Sequence, residues 1–126
     1  MKHLKTTYLG LPLRSPVVVA SSPFTATVEG VTAAAEAGAG AVVLKSIFEE
    51  QIIGLSERLA SHNTSPFGDT DDYLQRYVGE DYRAQFLRLV SESKARTNVP
   101  IIASMNCIGA GARWVEYASE LAAAGA

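Results

Sequence analysis

Three short apolar runs, each cut off abruptly by polar residues, constrain this chain more than anything else in it. Val17 to Ala20 is followed by Ser21-Ser22, Ala41 to Leu44 by Lys45-Ser46, and Val99 to Ala103 by Ser104-Met105-Asn106. The runs are rich in β-branched residues and show no alternation of apolar and polar positions, so they read as buried strands. Strands without a wet face suit a parallel sheet covered on both sides.

The stretches between the runs carry helical period. Val28, Val31 and Ala35 share one face of a segment from Thr27 to Ala37. Tyr82, Phe86, Leu89 and Val90 do so between Glu80 and Arg96, and Trp114, Ala118, Leu121 and Ala122 between Ala112 and Ala124. The order is strand, helix, strand, helix, strand, helix. Ahead of it, residues 4–13 flank a Leu9-Gly10 turn and predict a small β-hairpin outside the main sheet, placed to plug the bottom of a barrel. A polar stretch, residues 53–79, interrupts the rhythm as a long insert, with a short helix expected around Asp71 to Tyr77.

The expected fold is therefore α/β: the amino-terminal part of a parallel (β/α)8 barrel, one partial domain over residues 1–126, with βα units beginning near residues 17, 41 and 99. The phrase Ala34-Ala35-Glu36-Ala37-Gly38-Ala39 leads into the second strand, and Leu121-Ala122-Ala123-Ala124-Gly125-Ala126 repeats it. By that internal precedent a fourth strand is expected next, and the barrel does not close within these residues. An uncovered edge at the first or third strand would invite self-association, so a homo-oligomer is among the expectations.

Composition narrows the function. Lys and Arg number 11 against 13 Asp and Glu, a formal charge of -2, which supplies no electrostatic case for nucleic acid or an anionic membrane. Small molecules are the expected partners. Cys107 is the single cysteine, so no intrachain disulfide forms and no thiolate cluster holds a metal. No leader or membrane-spanning stretch is evident, and a cytoplasmic protein is expected.

In a parallel sheet the polar residues that end the three runs all lie at the carboxyl rim, where β/α barrels build their sites. Lys45 is the sharpest of them, because an ammonium at the end of a buried strand needs an anion or a polarised oxygen, or else snorkels to solvent or pairs with Glu49 or Glu50. Ser21, Ser22, Ser46 and Ser104 are weaker, since serine commonly ends strands and caps helices. Asn106 suits a planar heterocycle, having both a donor and an acceptor, or serves as a turn residue. Glu49 and Glu50 read as a solvated face, Cys107 as a small apolar residue without a histidine to activate it, and His3 and His62 as surface residues. Gly109-Ala110-Gly111 lacks the third glycine of a dinucleotide loop, which falls at Trp114.

Two stretches resemble the dihydroorotate dehydrogenases. They are Leu9-Gly10-Leu11-Pro12-Leu13-Arg14-Ser15-Pro16-Val17-Val18-Val19-Ala20-Ser21 and Ala37-Gly38-Ala39-Gly40-Ala41-Val42-Val43-Leu44-Lys45-Ser46. Lys45-Ser46-Ile47-Phe48-Glu49-Glu50-Gln51-Ile52 and Pro100-Ile101-Ile102-Ala103-Ser104-Met105-Asn106 are similar to the dihydroorotate-dehydrogenase-like branch of that FMN barrel family. The resemblance implies an oxidoreductase of pyrimidine metabolism that moves a hydride between FMN and a C–C bond of a dihydropyrimidine-like ring. It implies cofactor contacts at Ala20, Ser21, Lys45, Ser46 and Asn106, with Lys45 and Asn106 also facing substrate. It assigns no catalytic residue within these 126 positions, the family's base and phosphate site falling after Ala126, so the chain alone is expected to be inactive. Ser22 stands where many relatives have glycine, and the asparagine-containing substrate loop of the true dihydroorotate dehydrogenases is missing after the second strand. The residues by themselves leave open a different barrel enzyme, with Lys45 forming a Schiff base in an aldolase or synthase, and a non-catalytic chain that self-associates.

Overall fold

The computed structural model describes residues 4–48, 69–106 and 112–126. Strands β1 (Thr6–Tyr8) and β2 (Leu11–Leu13) pair antiparallel, with Tyr8 opposite Leu11. Leu9 and Gly10, at φ 49 and 80, make the two-residue turn between them. Two successive left-handed residues match the twist of the strands they join, so the expected hairpin forms where the Leu9-Gly10 pair predicts it. Leu13 is buried at its end.

Among the described residues five further strands and three α-helices follow: β3 (Val18–Val19), α1 (Val28–Glu36), β4 (Ala41–Val43), β5 (Ile47–Phe48), α2 (Asp69–Arg96), β6 (Ile101–Ile102), β7 (Met105–Asn106) and α3 (Ala112–Ala124). β3, β4 and β6 form a parallel sheet in that order, with Val19 beside Val42 and Val43 beside Ile102. β5 and β7 form a second parallel pair. The alternating order and the parallel sheet agree with the sequence reading. What the described residues form is an open sheet with helices and a small hairpin. Its middle strand is sealed, Ala41 and Val42 being fully buried, whereas β3 is half-exposed because it pairs on one side only.

The core lies between sheet and helices. Val31 and Ala35 of α1, Phe86 and Val90 of α2, and Tyr117 and Leu121 of α3 close on Val42, Leu44, Val99 and Ile101. α1 starts at Thr27, whose hydroxyl accepts from the Gly30 amide at 3.2 Å. It ends at Gly38, at φ 101, with Gly38 N–H bonded to Ala35 O (3.0 Å) and Ala39 N–H to Ala34 O (3.1 Å). α3 ends identically at Gly125, at φ 110, with Gly125 N–H bonded to Ala122 O (3.1 Å) and Ala126 N–H to Leu121 O (3.0 Å). The repeated phrase in the sequence is thus a repeated helix-ending motif that only glycine enters without strain.

Three details depart from expectation. α2 begins at Asp69 and absorbs both the short helix expected near Asp71 and the end of the insert. One interior glycine, Gly79, costs a helix about 1 kcal/mol, less than ending it and exposing the backbone groups of two new termini. Residues 53–68 of the insert lie outside the described residues. In α3 the inward face is Trp114, Tyr117, Leu121 and Ala124, while Ala118 and Ala122 are exposed. Burying the Tyr117 ring removes far more apolar area from water than burying two methyl groups. In α2, Tyr82 is exposed at the edge of the stripe.

Candidate functional site at the carboxyl ends of the strands

The rim is built from the ends of β3, β4 and β6. After β3 come Ala20 and Ser21, both exposed, and then Ser22, which opens a 3-10 turn over Pro23–Ala26. Thr25 fastens this turn: its hydroxyl accepts from the Ser22 amide at 3.1 Å and donates to the Ser22 carbonyl at 3.0 Å, with Thr25 fully buried. The Thr25 carbonyl in turn accepts from the Lys45 amide at 3.3 Å, tying the turn to the end of β4. Ser22 therefore belongs to the scaffold of the rim.

Past their ends β4 and β6 do not simply stop. Leu44 N–H bonds to Ile102 O at 2.9 Å and Ile47 N–H to Ser104 O at 3.0 Å, so pairing carries on into β5 and β7. The register shifts on the way. Val43 lies beside Ile102 and Ile47 beside Met105, so four steps along one strand match three along the other. The extra residue falls within Leu44-Lys45-Ser46 and makes a bulge, which breaks the up-and-down alternation and re-aims the side chains at that point. Lys45 and Ser46, both half-buried, sit on this bulge.

Ser46 is the centre of the site. Its amide donates to Ser21 Oγ at 2.9 Å, its Oγ lies 3.1 Å from Ser21 Oγ, and the same Oγ lies 2.8 Å from Ser104 Oγ. Three hydroxyls, one from each strand of the sheet, thus stand in a row. Three hydroxyl protons serve two contacts, so one proton is left to point outward, from Ser21 or from Ser104 according to the direction of the row. The row offers a donor at one end and an acceptor at the other, and it can exchange them without moving a heavy atom.

Of the residues expected at the site, Ser21, Lys45 and Ser46 are brought together, with Ala20 next to Ser21. Asn106 stands apart, exposed at the far end of β7 and paired with Phe48. Ser104, which sequence reasoning ranked low, joins the row through Ser46. The signal for it was that each of the three runs is followed within two residues by a serine. His3, Glu49, Glu50, His62, Cys107 and Gly109 to Gly111 lie outside the described residues. Among the described residues no group of three His, Cys, Asp or Glu side chains gathers to hold a metal, and no helix is long and apolar enough to cross a membrane.

A charged cluster of the described residues lies elsewhere, between α2 and α3. Arg83 grips both oxygens of Glu120, which raises the guanidinium above its ordinary value, and it lies 5.3 Å over the Tyr117 ring. Burial pushes the Tyr117 phenol up to about 12, against an opposing pull from the Arg83 cation. These groups join two helices and take no part in the rim.

Compared with family models, curated proteins and solved structures, the chain finds no match.

Proposed function

We propose that this chain is the amino-terminal part of an FMN-dependent β/α-barrel oxidoreductase of the dihydroorotate dehydrogenase type, acting in the cytoplasm in pyrimidine metabolism. The observation that carries the reading is the row Ser21, Ser46 and Ser104, with Lys45 beside it on the bulge, at the ends of three parallel strands. The polar edge of a flavin alternates carbonyl oxygens with an N–H. A hydroxyl row that offers either a donor or an acceptor at its outward ends suits such an edge, and a nearby ammonium suits its oxygens. The bound flavin would supply the chemistry, accepting or giving a hydride at a C–C bond of a dihydropyrimidine-like ring. The chain's own part is to bind and orient. Ser46 holds the row in line through its amide and hydroxyl, Lys45 provides a fixed cation where charge develops, and Ala20 leaves the rim open beside Ser21. Asn106 is assigned to the substrate side. No acid or base for proton transfer is assigned among the described residues.

Titration of FMN into the purified chain, followed by flavin fluorescence, tests the reading. Saturable quenching that weakens in Ser46→Ala and Lys45→Met is expected. Because the phosphate site is expected after Ala126, the complete gene product decides: one that purifies colourless and never quenches added FMN overturns the reading. Borohydride trapping of a carbonyl compound on Lys45 would assign the rim to Schiff-base chemistry instead.

A further inference from the structure

Resting on the flavin reading above, we propose that Ser104 is a positioning residue that tunes the flavin from two hydroxyls away, because the row it ends reverses direction when the flavin is reduced. The reason lies in what Ser21 has to share. Its Oγ carries two lone pairs and one proton. The Ser46 amide, 2.9 Å away, occupies one lone pair whichever way the hydroxyls point. One lone pair and one proton remain, divided between Ser46 Oγ at 3.1 Å and a ligand on the outward side. Ser21 therefore donates to a ligand while it accepts from Ser46, and accepts from a ligand while it donates to Ser46.

Ser46 passes that choice on. Its Oγ has one proton and stands between Ser21 Oγ and, at 2.8 Å, Ser104 Oγ. When the proton goes to Ser21, Ser46 accepts from Ser104; when it goes to Ser104, Ser46 accepts from Ser21. Leu44 N–H on Ile102 O and Ile47 N–H on Ser104 O clamp the backbone on either side of the bulge, so the oxygens keep their places while the protons turn.

In the proposed reaction a hydride leaves a ring carbon with both electrons of its C–H bond, and the neighbouring carbon yields its proton to a base outside the described residues. A C=C bond forms, and the flavin nitrogen that takes the hydride turns from acceptor into N–H donor. With that nitrogen at Ser21, oxidised flavin selects donation from Ser104 to Ser46 to Ser21, and reduced flavin selects the reverse. Loss of the Ser104 hydroxyl harms the two orders unequally. In the first, Ser46 keeps an unfilled lone pair; in the second, its proton loses its acceptor in the row. An orphaned donor is the worse defect, since oxygens with two lone pairs are more often left with one unfilled. Ser104→Ala thus favours oxidised flavin while every group at the Ser21 end stays the same.

Dithionite titration of the complete gene product at saturating FMN, read against a reference dye, gives the midpoint potential. Ser104→Ala should lower it by about 20 mV, a roughly fivefold shift between oxidised and reduced flavin. Ser104→Thr, which restores a hydroxyl, should return it to the unmodified value. In a Ser46→Ala background, where the row is cut, adding Ser104→Ala should change nothing further. Equal shifts in both backgrounds overturn the proposal, because Ser104 would then act through packing or charge. An unshifted potential in a flavin-loaded Ser104→Ala protein overturns it too and leaves the flavin reading standing, whereas a gene product that never holds FMN removes both.

Discussion

The two ends of the parallel sheet are built on opposite principles. At the amino end, backbone is pressed on backbone: Gly40 N–H bonds to Val17 O at 2.7 Å, and a Cβ on Gly40 would stand 1.9 Å from the Ser15 carbonyl oxygen. Arg14, just past the hairpin, donates through Nε to Ala39 O at 2.9 Å and through its terminal nitrogen to Ala35 O. A cation at the end of α1 thereby gives Ala35 O a second donor beside Gly38 N–H, reaches Ala39 O just past the helix, and meets the negative end of the helix dipole. At the carboxyl end the contacts are side-chain hydroxyls, exposed at Ser21 and half-buried at Ser46 and Ser104, with Ser46 held on a bulge. One end is fixed by fit and the other is adaptable, and the function proposed above places ligand contact at the adaptable end.

The sharpest way to break this comparison is one substitution at each end. Gly40→Ala should destabilise the chain by about 3 kcal/mol, because the added methyl meets backbone that cannot move aside. Ser46→Ala should cost about 1 kcal/mol or less in urea unfolding, since its hydroxyl bonds are partly wet, while FMN quenching drops. Equal losses of stability at both sites would undo the division of roles. Arg14→Met comes next, with an expected loss of about 1–2 kcal/mol from two carbonyls left without their cation. Its FMN titration should match that of the unmodified chain, and a large change there would mean that the amino end also shapes the rim.

A third comparison uses neither end. Tyr117 is buried between helices and its hydroxyl has no hydrogen-bond partner among the described residues. Its phenol is raised from the ordinary 10.0 to about 12. In that window the unfolded chain gives up the proton and the folded chain keeps it, so the phenol's contribution is complete below pH 10 and falls away as pH rises toward 12. Tyr117→Phe removes both the unpartnered hydroxyl and this loss. Melting temperatures should show the variant equal or slightly better at neutral pH, with its advantage widening from pH 10 upward. A constant difference would show that the phenol titrates normally.

The comparison also explains what could be read from the sequence. The strands, the hairpin turn and the helix ends were legible because each is a local pattern: a run of Val and Ile, a left-handed residue pair, an alanine phrase closed by Gly38 or Gly125. The serine row was only half legible. Ser46 and Ser104 are 58 residues apart, and what joins them is a register offset between two strands, which neither strand carries alone. Arg14 was not legible at all, because a charged residue after a hairpin reads as solvated until the end of α1 is placed beneath it. Tyr117 was passed over because alanines at helical spacing suggested another face. Area buried, not spacing, chose between the two faces.

The smallest expected effect concerns the hairpin, the one place at the amino end where fit is imperfect. Leu9 occupies φ 49, a conformation that costs a residue with a Cβ about 1–2 kcal/mol relative to its ordinary regions. Its side chain is 81% exposed, so little burial repays that strain. Asparagine tolerates the left-handed region better and before glycine makes the preferred pair for this turn. Leu9→Asn should therefore raise stability by about 0.5 kcal/mol, seen as a small upward shift of the urea midpoint with an unchanged slope. A loss instead would mean that Leu9 is covered in solution.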